Sequence, residues 1–339
     1  MLKKTLSLLG FTLLLLILGC AQSQETISEK KDNTTINGNY PLTLDTYTYE
    51  GQKISQTIPN APEKVMVIGS AVAELIVKFG QQEKVVGFAY SDLTNSDYKD
   101  DIEKLPLVSE MWPAKEAIMA LEPDLIYSIA SAFREELIGS IPSWNNRGLP
   151  VVSSTNFTIG RSIDIYFEEL QTFGKVFNIE DKTNKYLTEQ QTRIDAITSK
   201  VKDSKEKPTV LLISGARGKY FYFSPKWAMI DEMIEGAGAT YLELSKEDYI
   251  ELSTEAIIAA NPDKIIITEF QEPDQEKTKN NLMNDKKLRT VKAIQNNEVM
   301  AVEYTGAING GIEIADLYEE VAAFINPEIV NGVKKNAQK

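Results

Sequence analysis

Residues 115–127 read KEAIMALEPDLIY, and residues 254–266 read TEAIIAANPDKII. Seven of the thirteen positions are identical, although the two segments lie 139 residues apart. Each copy places a Glu in the first turn of a short helix, where the positive end of the helix dipole favours a carboxylate. A Pro then ends the helix, and the apolar run that follows predicts a buried strand. Repetition at this distance predicts two similar lobes rather than a solenoid.

Apolar strands alternate with amphipathic helices on both sides of the repeat. The predicted strands are 64–68, 84–88, 124–129, 150–153, 209–214, 240–242, 263–268 and 298–302. The predicted helices outside the repeat are 71–79, 133–145, 228–235, 286–295 and 312–324. This alternation predicts an α/β fold in which each lobe is a mainly parallel sheet flanked by helices. In such sheets ligands bind beyond the carboxyl ends of the strands, so the loops at that edge are the candidate site.

The first twenty residues have the layout of a secretory signal. Lys3 and Lys4 precede an apolar run at 6–18, which is shorter than the ~20 residues that a spanning helix needs. The run ends in Ile-Leu-Gly-Cys at 17–20, which resembles a bacterial lipobox; this resemblance implies that Cys20 carries a palmitate-bearing lipid. The alternative is a cleaved signal peptide with an incidental Cys. Cys20 is the only Cys of the chain, so we expect no disulfide in the folded body.

The remaining chain divides into four predicted segments. Residues 21–39 are polar and predict a flexible tether, because such a segment cannot offset its ordering entropy by burial. We expect an N-terminal lobe at 40–159, a linking segment at 160–204 and a C-terminal lobe at 205–339. Apolar residues recur at helical spacing in the first part of the linking segment, and a long charged helix-prone stretch follows. One or two helices of this length predict a stiff bridge rather than a flexible hinge.

Composition excludes several classes of function. The formal net charge of −13 disfavours a nucleic-acid surface, which needs basic clusters. The 339 residues contain no His, so the commonest general base and the commonest metal ligand are missing. We find no nucleophile elbow and no phosphate-binding Gly loop. We therefore expect a binding protein and not an enzyme, with a purely structural adhesin as a further alternative.

Candidate binding residues in the first lobe lie in the loops after its predicted strands and in the loop before Glu116. They are Tyr90, Trp112 beside Met111, and Arg134. Tyr90 and Trp112 could instead close the rim of the core, and Arg134 could be a solvated residue at the start of a helix. In the second lobe, residues 217–227 read RGKYFYFSPKW, with three cations, five aromatic residues and no acid.

That segment suits a flat or bulky anionic ligand through stacking, cation–π contacts and charge-assisted hydrogen bonds. Its candidate contacts are Arg217, Tyr220, Tyr222 and Trp227. The alternative is a hairpin packed on the sheet with its cations in water. In an extended chain the two Tyr face one way and the two Phe the other, and the sequence leaves open which pair faces the ligand.

The lipobox, the two lobes, the repeated Glu-helix-Pro-Asp-strand unit and the segment VVGFAYSD at 85–92 together resemble a known family. The chain is similar to substrate-binding lipoproteins of ABC importers for iron complexes, of the siderophore, haem and cobalamin type, over residues 59–327. This resemblance implies that Glu116 and Glu255 dock onto Arg residues of a permease dimer; helix-dipole partnership alone is the alternative. VVGFAYSD resembles a cobalamin binder's segment in which the Tyr touches ligand. The resemblance also suggests ligand contacts from Trp112, Arg134 and Asn309.

The resemblance leads us to expect capture of a ferric siderophore, with no intrinsic cofactor and no direct metal ligand from the protein. Haem is the alternative, with Met111, Tyr220 or Tyr222 as the axial ligand, and cobalamin is the third possibility. A bare zinc or manganese carrier would typically use several His, which the chain lacks. The implied partners are a permease dimer, its ATPase and the membrane through the lipid on Cys20. We expect a monomer on the outer face of the cytoplasmic membrane.

Overall fold

The computed structural model describes residues 39–93, 96–155, 158–201, 207–216, 218–225, 227–247 and 249–328. All of them belong to one structural unit. The predicted signal peptide, the lipobox and all of the predicted tether except its last residue lie outside the described residues.

The N-terminal lobe is built on a five-stranded parallel sheet. A hairpin of β1 (Leu42–Tyr47) and β2 (Lys53–Ile58) precedes it. The sheet strands are β3 (Val65–Ile68), β4 (Val85–Ala89), β5 (Leu107–Ser109), β6 (Leu125–Ser128) and β7 (Val151–Ser153), in the order β5-β4-β3-β6-β7. Its helices are α1 (Ser70–Lys78), α2 (Lys99–Ile102), α3 (Lys115–Ala120) and α4 (Ile141–Asn145).

Two helices form the linking segment. They are α5 (Ile163–Phe177) and α6 (Glu180–Val201). The Ser162 hydroxyl caps α5, and Asn178 ends it in the left-handed region at φ 55°. The helices pack closely at Gly174, where an added Cβ would lie 2.1 Å from Oγ1 of Thr183. The bridge is therefore a pair of tightly packed helices, of which the second has 22 residues and spans about 33 Å.

The C-terminal lobe has a mixed six-stranded sheet. Its strands are β8 (Thr209–Ala216), β9 (Lys219–Phe223), β10 (Thr240–Tyr241), β11 (Tyr249–Leu252), β12 (Lys264–Glu269) and β13 (Val299–Ala301). The order is β11-β9-β8-β12-β13, with β10 also beside β8, and β9 runs antiparallel to both of its neighbours. Its helices are α7 (Ile230–Gly236), α8 (Thr254–Ala260), α9 (Gln275–Met283), α10 (Lys292–Gln295), α11 (Tyr304–Asn309) and α12 (Ile314–Ile325).

The two lobes share one central topology. The first strand of each parallel core, β3 or β8, pairs with the strand that follows the repeated helix, β6 or β12. That strand pairs in turn with β7 or β13. The prediction of an α/β protein with two similar lobes is confirmed. The C-terminal lobe departs from an all-parallel sheet at β9, which runs antiparallel to β8 and β11.

The repeated Asp has the same structural role in each lobe. The Asp124 carboxylate accepts hydrogen bonds from the backbone N–H groups of Glu63 and Lys64, at 2.8 and 3.0 Å, just ahead of β3. The Asp263 carboxylate accepts from the backbone N–H and the hydroxyl of Thr209, at 2.9 and 2.8 Å, at the start of β8. Each carboxylate thus ties the strand after the repeated helix to the beginning of the central strand.

The repeated helices end as the sequence predicts, just before Pro. The residues ahead of the two prolines, Glu122 and Asn261, have φ values of 48° and 42°. Both therefore lie in the left-handed region, which turns the chain sharply from the helix into the next strand.

One contiguous apolar core runs from the N-terminal lobe through the linking helices into the C-terminal lobe. The Phe173 ring of α5 packs against Phe79 and Tyr127 of the N-terminal lobe, at centroid distances of 5.6 and 5.7 Å. Helix α6 packs against α12 and α7 of the C-terminal lobe. A second core, around the fully buried Trp144, fills the opposite face of the N-terminal sheet.

The outer edge of β7 is satisfied by side chains of the β1–β2 hairpin. The Gln56 amide donates to the backbone carbonyl of Val151 and accepts from its N–H at 3.0 Å, as a peptide group of a neighbouring strand would. The Thr46 hydroxyl accepts from the backbone N–H of Ser153 at 3.2 Å. The hairpin thus covers the edge strand β7. The sequence analysis predicted neither strand of this hairpin.

Two predicted helices are shorter than expected. Of residues 133–145 only α4 is an α-helix, because Gly139 takes a left-handed φ of 88° and Pro142 stands in the first turn of α4. Of residues 286–295 only α10 is helical. Leu288 and Val291 are fully buried and donate their N–H groups three residues back, so successive turns produce the apolar spacing that suggested a longer helix.

We predict that Asp124→Asn and Asp263→Asn each lower the free energy of unfolding by about 1–2 kcal/mol at neutral pH, because an amide oxygen replaces a charged acceptor. The hydrogen bonds from Thr209 hold the pKa of Asp263 below its usual value. This carboxylate therefore stabilises the fold above its ordinary pKa, and its contribution is lost as the pH falls through the lowered value. Urea unfolding at pH 7 and pH 3 measures both effects. The exposed Asp100→Asn is the matched control, and equal losses in all three variants would contradict the prediction.

Candidate ligand-binding site

The candidate site is the carboxyl edge of the parallel strands in each lobe. In the N-terminal lobe this edge carries the loops after β4, β5 and β6, and in the C-terminal lobe the segments after β12 and β13. Because all these strands are parallel within their sheets, their following loops gather at one edge.

Tyr90 and Trp112 form a stacked pair on the N-terminal lobe. Their ring centroids lie 3.9 Å apart at an interplanar angle of 15°. Tyr90 directly follows β4 with a left-handed φ of 58°, and its N–H donates to the carbonyl of Ser109 at 3.2 Å. Both rings are half-buried, and the neighbouring Met111 is 62% exposed. The structure therefore joins these two candidates into one flat aromatic surface.

Arg134 lies in the loop after β6 and is held in place by three groups. Its guanidinium carbon is 5.3 Å from the ring centroid of Tyr49, which belongs to the β1–β2 turn. Nε donates to the carbonyl of Ser131 at 3.1 Å, and Nη1 lies 3.6 Å from the Glu136 carboxylate. The protein's own groups thus hold the guanidinium in position. Tyr49 joins the candidate site as a residue that the sequence analysis missed.

Tyr220 and Tyr222 direct their hydroxyl groups into the C-terminal lobe. Tyr222 is fully buried; its hydroxyl donates to the carbonyl of Leu242 at 2.9 Å and accepts from the N–H of Leu244 at 3.1 Å. The Tyr220 hydroxyl donates to the Asp285 carboxylate at 3.1 Å. Residues 219–223 are the strand β9 and not a loop, as in the hairpin alternative. Tyr222, one of the predicted ligand contacts, has its ring in the apolar core.

The Phe side of β9 opens onto a cluster that we call the aromatic wall: Phe221, Phe223, Tyr249, Phe270 and Tyr304. Tyr249 stacks on Phe221 at 5.1 Å and 10° and lies 4.7 Å from Phe223. Tyr304 makes edge contacts with Phe223 at 6.4 Å and Phe270 at 5.1 Å. Tyr249 is 48% exposed and Phe270 is 54% exposed, so the wall presents ring surface to solvent.

Trp227 lies beyond β9 and is 37% exposed. Its backbone carbonyl accepts a hydrogen bond from Arg161, the residue ahead of the cap of α5. Burial lowers the pKa of Arg161 to about 10, and the nearby Tyr304 opposes this shift. Arg161 therefore stays protonated at neutral pH and places a buried positive charge between the linking segment and the aromatic wall.

The remaining candidates occupy different places. Glu116 and Glu255 are exposed in the first turns of α3 and α8. Asn309 is the last residue of α11 and is half-buried. Arg217 and Cys20 lie outside the described residues.

The described residues contain neither a metal-holding cluster of side chains nor a membrane-spanning helix. Within that part of the chain, no cluster of three or more His, Cys, Asp or Glu side chains has the spacing to hold a metal ion. None of the helices described there combines the length and the apolar character needed to cross a membrane.

The two-lobed architecture is that of a known protein family. The family model described as periplasmic binding protein matches residues 65–303. The chain belongs to the periplasmic binding protein family. The matched range begins at β3 and ends just after β13, so it takes in both sheets.

One relative of this periplasmic binding protein is YvrC of Bacillus subtilis, named an uncharacterized ABC transporter substrate-binding lipoprotein. It is 22% identical over 256 residues, which cover 75% of this chain and 77% of the relative.

Among solved structures, a periplasmic binding protein from Veillonella parvula has a TM-score of 0.76 at 17% identity and covers 86% of this chain and 94% of its own. A protein of an ABC-type Fe3+-hydroxamate transport system from Saccharomonospora viridis has a TM-score of 0.66 at 17% identity, covering 85% and 99%. The periplasmic heme-binding protein RhuT from Roseiflexus has a TM-score of 0.62 at 17% identity, covering 79% and 99%. These likenesses establish a common fold.

Sequence reasoning missed Tyr49, Arg161 and most of the aromatic wall of this binding protein. Tyr249, Phe270 and Tyr304 are single aromatic residues in polar surroundings, and strand pairing alone brings Tyr249 beside β9. The signal that could have found Phe270 and Tyr304 is their position directly or shortly after predicted strands. Arg161 gave no signal, because its partner Trp227 is 66 residues away.

A polar contact joins the two lobes of the binding protein. Glu313, which precedes α12, accepts hydrogen bonds from Nζ of Lys78 at 2.8 Å and from the Tyr98 hydroxyl at 2.6 Å. Lys78 belongs to α1, so this ion pair links the N-terminal lobe to the C-terminal lobe.

Glu74 lies one turn before Lys78 on α1 and is half-buried. The pKa of its carboxyl group is raised to about 7, mainly by burial and in smaller part by the negative charges of Glu303, Asp97 and Glu313. A hydrogen bond from the Ser96 hydroxyl, at 2.5 Å, works in the opposite direction.

Because the folded protein binds this proton more tightly than the unfolded chain does, the stabilising effect of the protonated carboxyl falls as the pH rises from about 4.5 to about 7. We predict that Glu74→Gln raises the free energy of unfolding by about 1–2 kcal/mol at pH 8 and changes it little at pH 4.5. Thermal unfolding at both pH values measures the difference. The exposed helical Glu168→Gln is the control, and an equal effect at both pH values would contradict the assignment to Glu74.

Proposed function

We propose that this protein is the extracytoplasmic receptor of an ABC importer and that it captures a ferric siderophore between its two lobes. Membership of the periplasmic binding protein family and similarity to an ABC transporter substrate-binding lipoprotein support the receptor role. Such proteins are transport components. The proposed role requires only that the site bind and release its ligand.

The observation that carries the ligand proposal is that each lobe combines exposed aromatic surface with a cation that the protein holds in position. The N-terminal lobe offers the Tyr90–Trp112 stack, and Arg134 in the loop after β6. The C-terminal lobe offers the aromatic wall and Trp227 beside Arg161. We propose that these surfaces are the two sides of one cleft.

A ferric siderophore suits such a cleft because the chelator itself supplies the iron ligands. The protein then has to bind the outside of a bulky, often anionic complex. Rings contribute contact area and stacking, each pair being worth about 0.5–1.5 kcal/mol beyond its buried area. Guanidinium groups add charge-assisted hydrogen bonds to oxygen atoms of the chelator.

Haem is the second candidate, and exposed Met111 is the observation in its favour. Met111 is 62% exposed next to the Tyr90–Trp112 stack, so its thioether could reach an iron atom lying on that surface. The other two axial ligands considered, Tyr220 and Tyr222, have their hydroxyl groups engaged within the C-terminal lobe. Haem binding would therefore need an axial ligand from Met111 or from a residue other than Tyr220 and Tyr222.

We further propose that Glu116 and Glu255 dock onto a permease dimer that an ATPase drives. Both carboxylates are exposed, and they occupy equivalent positions in the two lobes. Hydrogen bonds, the first of them from its own backbone, hold the pKa of Glu255 below its usual value, so this residue is ionised at neutral pH. Cations on the permease would complement them.

Ligand class is tested by quenching of tryptophan fluorescence in the chain lacking its first 20 residues. The titrants are a ferric hydroxamate, a ferric catecholate, haem and cobalamin. We expect saturable quenching by one ferric siderophore, because Trp112 and Trp227 both lie in the proposed cleft. Phe270→Ala should weaken binding about tenfold, which corresponds to ~1.4 kcal/mol.

Tyr222→Phe is the matched control, because it removes a buried hydroxyl without changing the proposed cleft surface. It should lower stability and leave ligand affinity unchanged. Quenching by haem with a Soret shift, abolished in Met111→Ala, would replace the siderophore with haem. Saturation by none of the four ligands would refute both.

We propose that a lipid on Cys20 holds the protein on the outer face of the cytoplasmic membrane. We predict that Cys20→Ser in the full chain blocks incorporation of labelled palmitate, because the thiol is the attachment point. Metabolic labelling and membrane fractionation measure this. Ser23→Ala is the control, because it changes a nearby residue and keeps the thiol, so this variant should stay labelled and membrane-bound. Labelling that persists in Cys20→Ser would refute the anchor.

A further inference from the structure

The exposed faces of α3 and α8 match position by position. In each helix the exposed residues within the repeat are a Glu, a large apolar residue three positions later and the Ala that follows. We call each set a docking face: Glu116, Met119 and Ala120 in α3, and Glu255, Ile258 and Ala259 in α8.

The apolar members of the docking faces are not needed by the core. Ile118 and Ile257 fill the core positions of the two helices and are fully buried. Met119 is 49% exposed and Ile258 is 38% exposed. Residues three apart on a helix are neighbours, so each apolar side chain lies on the same side as its Glu.

We infer that Met119 and Ile258 are apolar anchors of two equivalent docking contacts. Each docking face would meet one subunit of a two-fold symmetric permease, and each subunit would offer a cation beside an apolar hollow. This inference rests on the proposed function, and it extends that function by assigning the contact an apolar component.

Energetics explain why a carboxylate alone would be a poor docking device. An exposed ion pair contributes little to affinity and is screened by salt over roughly 8–10 Å. Burial of apolar surface adds affinity in proportion to the buried area and is not screened. A Glu beside a large apolar residue therefore combines a contact that orients the partner with one that survives physiological salt.

The duplicated face identifies the symmetry of the partner. The two docking faces come from lobes that share one topology, and both present Glu, large apolar residue and Ala in the same order. Two like surfaces on one chain fit two like surfaces on a dimer, since a closed dimer repeats each of its contacts by a two-fold axis. The cation beside each apolar hollow complements a carboxylate on a chain of net charge −13.

The test measures binding of the ligand-free protein to the permease–ATPase complex of its importer in lipid nanodiscs. Met119→Ser and Ile258→Ser, alone and together, are compared with Glu116→Gln and Glu255→Gln. Leu107→Ser is the control, because Leu107 is 55% exposed and lies outside both docking faces. A photoreactive phenylalanine at position 119, 258 or 107 then reports which permease segment lies nearby.

We expect the paired serine variant to weaken permease binding at least tenfold at both low and high salt, with ligand affinity unchanged. The paired glutamine variant should lose its effect as salt rises. Positions 119 and 258 should cross-link to the same segment of the permease subunit, and position 107 to none. Weakening by the glutamine variants alone would overturn the inference and leave the proposed function standing. Failure of the unaltered protein to bind the permease would overturn both.

Discussion

A carboxylate bound to the first backbone amides of a central strand is the interaction on which each lobe depends. Asp124 fixes the start of β3 and Asp263 the start of β8. These contacts sit beside parallel pairings in which Val65 lies opposite Leu125 and Leu211 opposite Ile265. Because strand register sets where every following loop emerges, the same carboxylates position the edge that carries the candidate site. In each lobe, one copy of the repeat thus supplies a helix, the turn after it, the anchoring Asp and a central strand.

The strands of the parallel cores could be predicted because burial on both faces makes them continuous apolar runs, as in Val65–Ile68. The orientation of β9 could not be predicted from the sequence. Its residues 220–223 alternate Tyr and Phe, so both faces are aromatic, and the deciding contact of Tyr222 with the carbonyl of Leu242 spans 20 residues. The same limit applies to Arg134, whose ring partner Tyr49 belongs to a hairpin that the sequence analysis did not identify.

Packing between the linking helices bears on how the two lobes are held. Gly174 leaves no room for a side chain against Thr183, and the Phe173 ring carries the N-terminal core into the same segment. Arg161 begins this segment and bonds to the C-terminal lobe at Trp227. Lys78 and Glu313 add a second link across the lobes. The proposed cleft between lobes held in this way would suit a bulky ligand of fixed shape, since little reorganisation is needed when such a ligand binds.

The Gln56 amide that pairs with Val151 has a consequence for solubility. An unpaired sheet edge can recruit a strand from another molecule and start aggregation. By imitating a peptide group, Gln56 occupies the hydrogen-bonding positions of β7 without extending the sheet. At the other sheet, the short edge strand β11 pairs the Glu251 carboxylate with Nζ of Lys219 at 2.7 Å, and charged side chains discourage strand addition there. Copies of the protein that collide at high local concentration therefore find no open edge of β7 to pair with.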